Sequence, residues 1–184
     1  MKKRAPTTQK GLTVVEVLIA LIVAGGILAV VLAGYSRVRT QGHAQGYLQA
    51  LEAVTAAIES RFPRNNYAGL TAASVISAPA FPRGMVSADG LNIIGPEGGR
   101  VDVSAGSVGD WGQEADTSFA VAFNDVSPQV CETTVRLMAP RAARIAVGGT
   151  VVMARSTNAG AIDATTLRAQ CAAERNTVTV RIEP

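Results

Sequence analysis

The chain has 184 residues, of which 48% are apolar and 17% are charged, and its formal net charge is +3. This length is ample for one hydrophobic core, and the apolar content excludes a disordered acidic or basic tail protein. The three lysines and Arg4 lie in residues 1–11, and the remaining chain has 13 arginines against 14 acidic residues, a formal charge of −1. The basic character therefore belongs to an amino-terminal leader, and we predict no direct binding of nucleic acid.

The first predicted element is an apolar segment that follows this basic leader. An uncharged, mostly apolar run extends from residue 17 to residue 36 and is closed by Arg37 and Arg39. A helix of about 20 residues, at about 1.5 Å per residue, spans roughly the 30 Å of a bilayer's hydrocarbon core. Because a lysine-rich flank stays in the cytoplasm, we expect the remainder of the chain to be exported.

Three interpretations compete for this amino terminus. A secretory signal peptide would be cut after the small-residue site at 31–33, so that the mature chain begins at Gly34. An uncleaved signal anchor would retain the whole segment. Neither explains why a carboxylate, that of Glu16, stands at the start of the apolar run, where membrane insertion costs a few kcal/mol.

The third interpretation rests on residues 10–16, Lys-Gly-Leu-Thr-Val-Val-Glu. This segment resembles the processing site of type IV prepilins, in which a basic leader ends in Gly and the fifth mature residue is Glu. The resemblance implies that a prepilin peptidase cleaves between Gly11 and Leu12, that Leu12 is N-methylated and that the apolar helix is retained. A buried charge is prohibitive unless it is paired, so Glu16 would neutralise an amino terminus within an assembly and set the register between subunits.

One long helix is predicted from residue 12 to residue 62, since this stretch lacks proline and Pro63 ends it. We divide it into a membrane or filament-core part, residues 12–36, and an amphipathic part, residues 37–62. An apolar stripe at spacings of three and four residues in the second part predicts packing on the chain's own sheet. The stripe consists of Ala44, Leu48, Leu51, Thr55, Ile58 and Phe62.

Residues 63–184 are predicted to form one exported α+β domain of strands and short helices. Alternating apolar residues predict the strands, and capping residues followed by helix-forming residues predict the helices. The expected strands are 91–94, 100–104, 119–123, 144–153 as one strand or a pair turning at Gly148-Gly149, and 177–182; the expected helices are 128–139 and 163–173. The Gly-Pro-Glu-Gly-Gly segment at 95–99 is predicted to be a hairpin loop, because no phosphate-binding motif follows it.

This order of elements resembles the type IV pilin fold, an α+β fold in which a very long N-terminal helix packs on an antiparallel sheet. The first mature residue is Leu rather than Phe, and the mid-helix proline of many type IVa pilins is missing, so the type IVb branch is the better match. That branch includes the major pilins of conjugative thin pili, bundle-forming pili and toxin-coregulated pili. The alternatives are a minor pilin, a type II secretion pseudopilin, or an exported binding or enzymatic domain on a signal peptide.

The resemblance also implies partners and a location. The unassembled subunit would lie in the inner membrane with its globular domain in the periplasm. It would then polymerise with copies of itself into an extracellular pilus for adhesion, aggregation or conjugative contact. Its other partners would be the prepilin peptidase, an inner-membrane assembly platform and a separate assembly ATPase.

The sequence contains two cysteines, Cys131 and Cys171, both in the predicted exported body. An even count outside the cytoplasm favours a disulfide, and closing about 41 residues would stabilise the fold by roughly 4 kcal/mol. Two buried free thiols are the alternative. Pilins typically carry a disulfide near the carboxyl end, around a variable region, and the resemblance assigns that role to this pair.

The residues of catalytic or metal sites are sparse, and we predict no enzyme, cofactor or metal site. His43 is the only histidine, which excludes a His-based triad or a His-rich metal site. Asp110, Glu114 and Asp116 surround Trp111. A calcium site is conceivable there, but a solvated acidic loop is the preferred interpretation.

Overall fold

The structure, a computed structural model, describes residues 14–62, 66–79, 81–106, 117–158 and 160–183. The chain divides into two compact units, Met1–Arg39 and Thr40–Pro184. The predicted acidic loop at Asp110, Glu114 and Asp116 lies outside the described residues.

Helix α1 spans Val14–Arg61, and its first part forms the described portion of the first unit. Within it, Val14–Leu32 has a mean hydropathy of 2.8 and is long and apolar enough to cross a membrane. Every side chain described in that segment is exposed within the unit. The apolar residues surround the helix instead of forming one stripe, as expected for a helix whose solvent is lipid or other helices.

The second unit is built on a six-stranded antiparallel sheet in the order β1-β2-β3-β6-β4-β5. The strands are β1 (Ile93–Ile94), β2 (Arg100–Ala105), β3 (Phe119–Val126), β4 (Arg144–Val147), β5 (Thr150–Ala154) and β6 (Asn176–Ile182). Strand β6, the last in sequence, lies between β3 and β4, so strands that are distant in sequence pair at the centre of the sheet. The α+β class and the antiparallel sheet are as predicted.

Short helices lie between α1 and the first strand and in two of the connections between strands. They are α2 (Ala72–Ile76), a 3-10 turn at Arg83–Met85, α3 (Pro128–Met138), α4 (Arg155–Asn158) and α5 (Ala164–Gln170). Helices α2 and α4 were not predicted, since segments of four or five residues carry too little periodicity to be recognised. Helix α5 ends before the predicted Ala173, because the Asn176 side-chain amide donates to the Cys171 and Ala173 carbonyls at 3.5 and 2.9 Å.

The second part of α1 packs on the sheet, but its buried face is rotated from the predicted stripe. Leu48, Thr55 and Phe62 are only half-buried. The buried face consists of Ala44, Tyr47, Ala50, Leu51, Val54, Ala57 and Ile58. The prediction followed spacings of three and four residues and placed Ala44, Leu51 and Ile58 correctly. The structure adds a tyrosine and further alanines to the buried face, where small side chains permit close approach.

Aromatic residues fix the helix on the sheet at two heights. The ring of Tyr47 meets Phe123 of β3 edge-on with centroids 5.4 Å apart. Tyr67, in the segment after α1, meets Phe119 at the other end of β3 at 5.0 Å. All four are essentially inaccessible to solvent. Because such aromatic pairs add to the gain from area burial, β3 helps to hold both α1, through Tyr47, and the segment that follows it, through Tyr67.

Candidate assembly helix and its supporting domain

The predicted processing and assembly residues all lie at the amino terminus. Gly11 and Leu12 are outside the described residues. Glu16 lies in the first turn of α1 and is exposed. A carboxylate in the first turn interacts favourably with the positive end of the helix dipole, which suits Glu16 to this position even before any assembly.

The helix around Glu16 presents an unusually large apolar surface. Large aliphatic side chains are exposed on all sides, from Val14 at 77% to Leu32 at 66%. Soluble monomers rarely expose contiguous apolar patches of more than a few hundred Å². The surface therefore requires lipid or other apolar helices around it.

The two cysteines are joined, as predicted. Cys131 of α3 and Cys171 at the end of α5 form a disulfide with an S–S distance of 1.98 Å and a Cα–Cα distance of 5.7 Å. Both residues belong to the buried core. The bond ties together two helices whose attachment points are separated by 40 residues.

The Gly-Pro-Glu-Gly-Gly turn between β1 and β2 anchors the sheet to two helices through Glu97. The Tyr47 hydroxyl of α1 donates to Glu97 Oε2 at 3.1 Å. At the start of α3, the Ser127 N–H donates to the same oxygen at 3.1 Å, and Ser127 Oγ donates to Oε1 at 2.8 Å. Burial raises the pKa of Tyr47, and the neighbouring Glu97 charge raises this pKa further.

Backbone contact explains the glycines of this turn. A Cβ on Gly99 would lie 2.0 Å from the Asn124 carbonyl oxygen, so only glycine fits there. A Cβ on Gly95 would lie 3.3 Å from the Tyr47 ring. The turn is thus a hairpin loop, as predicted, and its glycines permit close packing against β3 and α1.

A buried arginine lies in the centre of the sheet and was not predicted. Arg181 of β6 is 2% exposed. Its guanidinium donates from Nε and Nη2 to Ser118 Oγ at 3.0 and 2.6 Å, and Glu183 lies 3.8 Å away. Burial lowers the Arg181 pKa, with the Glu183 charge acting in the opposite direction. A single arginine in an alternating strand gives no sign in the sequence of which side chains will cover it.

The described residues hold no group of three or more His, Cys, Asp or Glu side chains that could bind a metal ion. His43 lies on α1 and is half-buried. The arrangement described above is one of packing, anchoring and an exposed apolar helix, which suits association with other chains.

Comparison with known proteins gives one matching family and similar solved structures. The protein family described as PilS N terminal matches residues 42–183 of this chain. A type IV b pilin from Salmonella typhi is 19% identical in sequence with a TM-score of 0.57, and the match covers 78% of this chain and 99% of that one. TcpA, a type IV pilin from the Vibrio cholerae El Tor biotype, is 16% identical with a TM-score of 0.48 over 77% of this chain and 97% of that one. No curated protein matches the sequence significantly.

Proposed function

The chain belongs to the PilS family of type IVb pilins, and from that premise we propose that it is a structural subunit that polymerises into an extracellular type IV pilus. The observation that carries the proposal is the exposed apolar helix Val14–Leu32 followed by a disulfide-closed domain. Such a helix would bury its apolar surface first in a membrane and then among copies of itself. Pilin family and fold are structural, and no catalytic role is proposed.

We further propose that maturation removes residues 1–11. A peptidase cut between Gly11 and Leu12 would leave a positive α-amino group five residues from the Glu16 carboxylate. N-methylation of Leu12 would preserve that charge. In the filament, Glu16 would pair with an amino terminus, its own or a neighbour's, because an unpaired charge among apolar helices is costly.

The proposed route begins in the inner membrane, with the globular domain in the periplasm. An assembly platform driven by a separate ATPase would extract the subunit into the filament. Burial of apolar helix surface would stabilise the polymer once it has formed. Adhesion, aggregation and conjugative contact are the proposed uses of the pilus, and a minor pilin or pseudopilin role is the alternative.

The mass of the mature amino-terminal peptide tests this proposal. We expect a chain that starts at N-methylated Leu12 and is abundant in filaments sheared from the cell surface. A start at Gly34 would instead identify a cleaved secretory signal and overturn the proposal. Correct processing with only trace amounts in the filaments would indicate a minor pilin.

A further inference from the structure

One side of α1 carries a groove within the second unit that no part of the described chain fills. It has a volume of about 270 Å³. Its lining is Leu51, Glu52, Thr55, Ala56 and Glu59 of α1, with Arg141 and Ile182. An apolar cavity of roughly 150 Å³ already accommodates a benzene molecule, so this groove can admit an aliphatic side chain.

The polar lining of the groove consists of three charged side chains and of Thr55, whose buried hydroxyl has no hydrogen-bond partner within the described part of the chain. One of the three charges has no partner either. Arg141 forms an ion pair with Glu52 across the groove. Glu59, two turns further along α1, is exposed, and its carboxylate has no ion-pair or hydrogen-bond partner among the described residues. The floor is apolar, with Leu51 fully buried. The groove thus combines an aliphatic floor with one available negative charge.

A complementary feature lies in residues 83–94 of the same unit. Leu91 is 66% exposed, the most exposed large aliphatic side chain described in the second unit. It is held on a tight turn, in which the Ser87 N–H donates to the Asn92 carbonyl at 2.9 Å and the Leu91 N–H donates to Asp89 Oδ1 at 3.0 Å. Leu91 is therefore a preorganised projection, whose docking costs little conformational entropy.

The same segment carries two charges, Arg83 and Asp89. The Asp89 carboxylate already accepts hydrogen bonds from Ser87 Oγ and from the Leu91 N–H within its own turn, which leaves Arg83 as the available charge. A bridge between Val86 and Ile93 folds the segment back on itself and leaves Arg83 at its base. Arg83 is exposed, and its guanidinium has no carboxylate or hydrogen-bond partner within the described chain. Residues 83–94 therefore present one aliphatic side chain and one available positive charge, the counterparts of the groove's floor and of Glu59.

We propose that the groove on α1 receives Leu91 of a second copy of this chain, and that Glu59 pairs with Arg83 of that copy. The groove and the projection are different surfaces, so each copy can offer its groove to one neighbour and its Leu91 to another. Such a heterologous contact, repeated without closing a ring, is the kind that an open helical filament needs. The inference rests on the proposed pilus function and adds a specific contact between globular domains. Matched charges at the rim select the register, since a shifted copy brings like charges together or leaves them unpaired.

Charge exchange in the full-length chain, expressed with its assembly machinery, tests the pairing. Glu59→Arg and Arg83→Glu are each expected to lower the yield of sheared filaments roughly tenfold, because like charges then face each other at every contact. The double variant should recover the yield to within about twofold of wild type, since it restores opposite charges. Unchanged yields in the single variants, or no recovery in a double variant that retains its thermal melt, would overturn the pairing.

Matched controls come from two other exposed charges. Glu174→Arg and Arg168→Glu make the same charge changes at residues outside both proposed surfaces, and both should leave the yield unchanged. A loss in these controls equal to that in the Glu59 and Arg83 variants would attribute the effect to net charge and overturn the inference.

A cysteine pair tests the aliphatic contact. Both native cysteines are bonded to each other, so a chain with Leu91→Cys and Ala56→Cys has only the two new thiols available. Mild oxidation of sheared filaments should yield a ladder of covalent multimers, whereas Val151→Cys with Ala56→Cys should yield none. No ladder from the first pair overturns this contact.

Failure of this contact is distinguishable from failure of the pilus function. If the variants assemble normally while Glu16→Ala does not, the chain is a pilin and the proposed contact is wrong. A wild-type chain that is absent from sheared filaments overturns both proposals.

Discussion

The two parts of α1 show how the same secondary structure serves two different environments. In the first unit, apolar side chains such as Val14 and Ile22 are exposed all round the helix. In the second unit, one face of the same helix is buried against a sheet and the opposite face is polar. Two tyrosines illustrate the contrast, since Tyr35 is 66% exposed and Tyr47 is fully buried. The first part depends on other molecules, whereas the second is satisfied by its own chain.

Glu16→Ala should have the largest effect of the variants that test this difference between the two parts of α1. We expect it to abolish filament formation while leaving processing and the stability of the second unit unchanged, because Glu16 lies outside that unit and its proposed partner is an amino terminus within the assembly. Electron microscopy of sheared material and the mass of the mature chain measure the two effects. Leu18→Ala, which alters the same helix without removing a charge, is the control. Normal filaments from Glu16→Ala would contradict the assembly role.

Tyrosine truncation compares the two parts directly. Tyr47→Ala removes a buried ring that packs on Phe123 and should lower the free energy of unfolding by about 3–5 kcal/mol. Tyr35→Ala removes an exposed ring and should change this free energy by less than about 0.5 kcal/mol. Denaturant unfolding of the full chain in detergent micelles provides both values. Equal effects would mean that the two parts share one environment in the unassembled subunit.

Loss of the disulfide should act on the second unit alone. Replacing Cys131 and Cys171 by Ser is expected to cost about 2–4 kcal/mol, since the unfolded chain regains the entropy of a 40-residue separation. The amino-terminal apolar segment should still insert in the membrane. Alkaline carbonate extraction and denaturant unfolding separate these outcomes, and loss of membrane retention in the double variant would refute this independence.

Tyr47→Phe is the mildest of these changes and isolates the contribution of the Tyr47 hydroxyl. Removing the bond to Glu97 should cost about 1.5 kcal/mol, the low end for a hydrogen bond to a charged group. The raised Tyr47 pKa means that the folded state retains its proton longer than the unfolded state does. This contribution is complete below the unfolded pKa of about 10 and is lost as the pH rises above it.

Alkaline unfolding curves of the wild type and Tyr47→Phe measure this dependence. The wild type should lose stability more steeply than the variant above about pH 10, and the two curves should run parallel at neutral pH. Curves that stay parallel over the whole pH range would show that ionisation of Tyr47 does not cause the loss of stability at alkaline pH. Tyr35→Phe is the matched control, since its ring is exposed.

Sequence patterns that span a few residues predicted much of the fold. They failed where a side chain's environment depends on residues far away in the sequence. The helix, most strands and the hairpin turn followed from periodicity, proline and glycine, which act within a few residues. The predicted buried face of α1 left out Tyr47. A tyrosine has both an apolar ring and a polar hydroxyl, and only the folded chain brings Phe123 and Glu97 into contact with them. Arg181 was missed for the same reason, since the shielding of its guanidinium depends on Ser118 and on neighbouring strands.

The sequence by itself determined the features that depend on composition and on neighbouring residues. They are the concentration of all three lysines in residues 1–11, which leaves a formal charge of −1 on the remaining chain, the uninterrupted apolar segment and the presence of two cysteines. The tertiary structure decided which groups meet across the chain. It joined Cys131 to Cys171, brought Glu97 to two helices and placed Glu59 and Leu91 on separate surfaces. The physical reason is that helix propensity and hydropathy are local properties, whereas burial and pairing depend on the strand order that only the folded chain establishes.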